Sequence, residues 1–69
     1  MDIVNMFSEN VKKYRLESHL SQEALAEKAG LHRTYISAIE CKRRSISLEN
    51  IQRIAKALNI EPYVLFISD

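Results

Sequence analysis

The stretch Ser21 to Arg44, SQEALAEKAGLHRTYISAIECKRR, holds two short runs of helical spacing with a glycine between them. Gln22, Leu25, Ala26 and Ala29 fall on the first run, and Tyr35, Ile36 and Ile39 resume it after Gly30. Glycine suits a position where one helix ends in the left-handed region before the next begins. Ala26 is small where two helices crossing at a steep angle need close approach. With Ile36 and Ile39 inward, Arg33, Thr34, Ser37 and Glu40 are left along the outer face. Two helices so joined, the second showing polar side chains outward, form a helix-turn-helix. Its second helix suits the major groove of duplex DNA.

Working outward, 69 residues allow a single domain, 1–69, whose core alone leaves stability marginal. A stabilising partner chain is therefore expected. Cys41 is the sole cysteine, so no internal disulfide forms and a reducing cytoplasm fits. No stretch is long and apolar enough to cross a membrane, and MDIVNMFSEN lacks the basic start and apolar core of a signal peptide. A soluble cytoplasmic protein is expected. The net charge is only +1, but its distribution is uneven. Residues 28–44 carry Lys28, Arg33, Lys42, Arg43 and Arg44 against Glu40, whereas the segments on either side are each net acidic. Positive charge thus gathers on and just after the second helix of the motif, where phosphates would lie. Alone it would read as a solvated basic loop.

The remaining punctuation predicts an all-α chain of five helices. A first helix starts near Ile3 or Met6 and ends near Ser18, with Phe7, Val11 and Tyr14 inward and Leu20 anchoring the connection. Ser21 caps the second, His32 weakly caps the third, and CKRRSIS follows as a basic loop. Ser47 caps a fourth helix whose apolar face is Leu48, Ile51, Ile54, Ala55 and Leu58. Asn59 tolerates the left-handed conformation that ends it, and Pro62 starts a short fifth. Ile60, Tyr63, Val64, Phe66 and Ile67, with Leu65, cannot all turn inward from so short a helix. The expected outcome is a homodimer interface built from Ile60, Tyr63, Val64, Phe66 and Ile67.

SQEALAEKAGL followed by RTYISAIE closely resembles the helix-turn-helix family of phage Cro and repressor proteins. The string RTYISAIE is most similar to the controller proteins of bacterial restriction–modification systems. The likeness runs from roughly Phe7 to Phe66. It implies a compact, five-helix, lambda-repressor-like domain that binds a pseudo-palindromic operator as a homodimer. It further implies control of restriction–modification genes including its own, with two dimers on adjacent sites and RNA polymerase as a further partner. Relatives often have glycine where this chain has His19 and Lys42.

The residues expected at DNA follow from position and chemistry, and the resemblance places them there too. Gln22, in the first turn of helix two, can meet a phosphate and brace the next helix. Arg33 begins helix three, and its guanidinium matches guanine O6 and N7, a contact that contributes about 1–3 kcal/mol of discrimination. Thr34 can offer a hydroxyl or methyl to a base edge. Tyr35 can pack beneath the helix or reach a phosphate, and Ser37 can meet the backbone. Lys42, Arg43 and Arg44 would add salt-sensitive affinity for any sequence. Glu40, unfavourable beside DNA unless paired, is expected to bridge to Arg15 and lock helix three on helix one.

An enzyme fits poorly. His19, His32 and Cys41 lack metal-ligand spacing, so no metal or cofactor is expected, and no catalytic constellation is visible. Cys41 reads as a partly buried thiol, with a redox sensor as the sharper alternative. The rival function is an antitoxin or other protein-binding module of the same architecture.

Overall fold

The structure, a computed structural model, describes residues 2–43 and 46–68. Asp2 opens the chain's first helix, its carboxylate accepting from the backbone N–H groups of Val4 and Asn5. The α-helices are α1, Ile3–Glu17; α2, Gln22–Ala29; α3, Arg33–Glu40; and α4, Leu48–Ala57. The fifth element expected at Pro62 is a 3-10 helix, Pro62–Phe66, so the α-helices number four among the described residues.

One corner is used repeatedly to join these elements. Each α-helix ends with a residue in the left-handed region: His19 at φ 58°, Gly30 at 72°, Lys42 at 62° and Asn59 at 61°. In each case the next residue's N–H returns to a carbonyl inside the helix. Leu20 donates to Arg15, Leu31 to Ala26, Arg43 to Ala38 and Ile60 to Ala55. These are paired turns that satisfy the last carbonyls of each helix. Leu20, Leu31 and Ile60 then pack against the core, and a cap residue starts the next helix at once: Ser21, His32 or Glu61. His19 and Lys42 therefore follow the same path that glycine takes at Gly30, with a Cβ in a disfavoured region.

The third corner differs. Arg43 occupies the position that is leucine or isoleucine in the others, and it is exposed. The aliphatic function passes to Ile46, just before the Ser47 cap, whose hydroxyl accepts from Asn50 N–H. The connection from α3 to α4 is thus lengthened and made cationic where the other corners are tight and apolar.

Every element contributes to the centre. Val11 of α1, Leu25 of α2, Ile36 and Ile39 of α3, Ile54 of α4 and Leu65 of the 3-10 helix are essentially inaccessible. Each such side chain stabilises the fold by about 1.5–3 kcal/mol. α2 packs on α3 and α4, and α1 on α3 and the 3-10 helix. Phe7 and Phe66 stack with centroids 5.3 Å apart, and Asn10 Nδ2 donates to the carbonyls of Leu65 and Ile67 at 2.8 and 3.0 Å. The C-terminal segment is thereby pinned along α1.

Leu48 corrects the sequence reading, being 84% exposed rather than part of the buried face of α4. Steps of three residues fall short of a helical turn of about 3.6, so Leu48 drifts to the margin of the stripe that Ile51 and Ile54 centre. It also stands at the helix's first position.

Candidate nucleic-acid interface

At about 3.6 residues per turn, α3 divides cleanly. Arg33, Thr34, Ser37, Ala38 and Cys41 fall on one half, and Tyr35, Ile36, Ile39 and Glu40 on the other. The structure follows this division. The first group, with Arg43, lines a shallow surface groove, while Ile36 and Ile39 are buried. Arg33 and Thr34 are exposed and Ser37 is half-buried. His32 makes no side-chain bond to the start of the helix, so the positive end of α3 is left uncovered by its cap.

Glu40, grouped by sequence with the outer face yet also expected to bridge to Arg15, lies at the margin of the inner half. Its carboxylate turns to Arg15, whose Nε donates to Oε2 at 2.7 Å and Nη2 to Oε1 at 3.1 Å. The side chains are only 9% and 4% exposed. Arg15 Nη1 donates to the Leu20 carbonyl, and Gln22 Nε2 to Glu40 Oε1 at 3.1 Å. One carboxylate thus joins α1, the start of α2 and the end of α3. The Gln22 amide takes up the bracing expected of it together with a phosphate contact.

The opposite margin of the buried half of α3 is held by another element. Tyr35, half-buried against the core, accepts at its hydroxyl from Asn50 Nδ2 at 3.0 Å. Nothing local in the sequence marks Asn50, which lies 15 residues away. Ala38 adds an apolar point to the groove and carries no polar group that would single it out in the sequence.

Lys42 is exposed, with Nζ 3.5 Å from Glu9 Oε2 on α1, so part of its charge is met within the chain. Arg43 is exposed beside the groove; Arg44 lies outside the described residues. Cys41 caps α3 and is exposed, not partly buried. Among the C-terminal apolar residues, Tyr63 is 65% and Ile67 47% exposed. Val64 is half-buried, and Ile60 and Phe66 pack against the core. Among the described residues no group of His, Cys, Asp and Glu could hold a metal, and no helix is long and apolar enough to cross a membrane.

Two helices meeting at Gly30, the second held from behind and polar in front, define a helix-turn-helix protein. A helix-turn-helix family model matches residues 11–65, and the chain belongs to that family. It is 52% identical over 59 residues to control protein C.SmaI of Serratia marcescens, a match spanning 86% of this chain and 70% of the relative. Its structure is similar to that of the restriction–modification controller protein C.AhdI from Aeromonas hydrophila. The TM-score is 0.89 at 41% identity, covering 91% of this chain and 96% of the other. The controller protein C.Esp1396I, solved as a tetramer in complex with its natural 35 base-pair operator, has a TM-score of 0.87 at 38% identity, covering 96% and 87%.

Proposed function

We propose that this protein is a sequence-specific regulator of transcription that lays α3 in the major groove of duplex DNA. The observation that carries this is the partition of α3. Arg33, Thr34, Ser37 and Ala38 face outward beside Arg43, while polar clamps hold both margins of the inner half. Arg33 and Thr34 read bases; Gln22, Ser37, Lys42, Arg43 and Arg44 meet the sugar–phosphate strand. Tyr35 stands at the edge of the reading face.

In this reading the 3-10 helix is the fifth helix of a lambda-repressor-like domain spanning 1–69. The chain acts as a homodimer through Ile60, Tyr63, Val64, Phe66 and Ile67. Two-fold symmetry then sets half-sites about one helical turn, roughly 34 Å, apart. By likeness to the control proteins, it regulates restriction–modification genes including its own, in the bacterial cytoplasm at the nucleoid. Two dimers on adjacent sites follow from likeness to the C.Esp1396I tetramer. RNA polymerase is the further partner that activation at one such site requires. No observation favours the antitoxin alternative.

Selection of bound sequences from random duplex DNA at physiological salt tests the reading. A recovered pseudo-palindrome supports it; a folded dimer that recovers no motif overturns it.

A further inference from the structure

We propose that Asn50, outside the helix-turn-helix, is a positioning residue for DNA reading that acts through Tyr35. The inference rests on the DNA-reading function proposed above. Tyr35 is the third residue of α3, next to Arg33 and Thr34, and its ring lies half-buried at the margin of the outward half. A phenol attached at such a margin has two torsions, and packing against the core fixes the ring more firmly than it fixes the hydroxyl. The Asn50 amide donates to that hydroxyl at 3.0 Å and so ties it to α4. The bond fills one acceptor site on the oxygen and so limits the directions in which its hydrogen can point.

Asn50 is itself well placed to act as a fixed point. It is the third residue of α4, half-buried, and its backbone N–H is held by the Ser47 hydroxyl at 3.1 Å. The opposite margin of α3 has an equivalent fixed point, where Arg15 and Gln22 hold Glu40. Asn50 is therefore to the start of α3 what Arg15 is to its end. The two clamps differ in cost of removal: the first involves neutral groups at a half-exposed edge, the second a buried charge. Loss of Asn50 should therefore blur recognition while leaving the fold standing.

The test compares wild type, Asn50→Leu, Tyr35→Phe and the double variant, all as full chains. Leucine keeps the branched outline of asparagine and removes the donor. Affinity is measured on the duplex recovered by selection and on a scrambled duplex of the same composition, with thermal unfolding and sedimentation alongside. Asn50→Leu is expected to lower the preference for the recovered duplex about two- to tenfold, the worth of one hydrogen bond. Affinity for the scrambled duplex and the dimer mass should not change, and the double variant should lose no more preference than Tyr35→Phe. An unchanged preference in Asn50→Leu overturns the inference. So does a loss that adds to that of Tyr35→Phe, because Asn50 would then act without the tyrosine. Should Asn50→Leu not fold, Asn50→Ala is read by the same criteria. If the wild type itself prefers no duplex, the DNA-reading function fails, and this inference falls with it.

Discussion

The guanidinium of Arg15 and the carboxylate of Glu40 meet side-on across α1 and α3, at 2.7 and 3.1 Å, almost wholly out of solvent. Removing one member of such a pair strands a buried charge. Arg15→Met or Glu40→Leu should therefore each destabilise the protein by about 3–5 kcal/mol. The double replacement leaves no charge behind, so its cost should fall well short of the sum. Urea denaturation at fixed protein concentration measures all three, and additive losses would show that the two residues do not act as a pair.

Lys42 carries a backbone strain that its neighbour in function, Gly30, avoids. Both hold positive φ, 62° and 72°, at the end of a helix. Lys42→Gly should raise stability by about 1 kcal/mol, the usual cost of a Cβ in this region. Lys42→Ala should give no gain, because alanine keeps the Cβ. Equal stabilities for the two variants would show that the strain is relieved elsewhere. Both should bind DNA more weakly, having lost the same ammonium group.

Much of this fold is legible because its punctuation is local. Ser21, Gly30, Ser47, Asn59 and Pro62 each act on backbone groups within a turn of themselves, so their neighbours suffice to interpret them. The inward positions Val11, Leu25, Ile36 and Ile54 likewise follow from period. What a stripe read in steps of three does not give is its own margin, and Leu48 is exposed for that reason. Nor does it give pairings between distant elements. The bonds from Asn50 to Tyr35 and from Asn10 to the carbonyls of Leu65 and Ile67 depend on how helices cross. Glu40 shows both sides of this: period leaves it at the boundary between the two halves of α3, while the chemistry of an acid beside a DNA-reading face points to a cation, which Arg15 supplies.

The C-terminal apolar residues divide into those used within the chain and those left over. Phe66 stacks on Phe7, so Phe66→Asp would damage the core as well as any interface. Tyr63 and Ile67 are the better probes, being 65% and 47% exposed. Ile67→Asp and Tyr63→Asp should sediment as folded monomers. A dimeric mass for both would move the interface elsewhere.

Arg43 sits where the other corners bury an aliphatic residue, and it touches solvent instead. Arg43→Ala should weaken binding to every duplex alike. The slope of log affinity against log salt should flatten by about one unit, the release of one condensed counterion. A loss confined to one sequence would make Arg43 a base reader.

Arg33 decides whether the outward half of α3 reads sequence. The measurement is the affinity of Arg33→Ala and wild type for the selected duplex and for its scrambled counterpart at the same salt. The account predicts a loss of about 1–3 kcal/mol on the selected duplex, with much less change on the scrambled one. Equal loss on both would contradict it, reducing Arg33 to one more phosphate contact and leaving α3 without its reader.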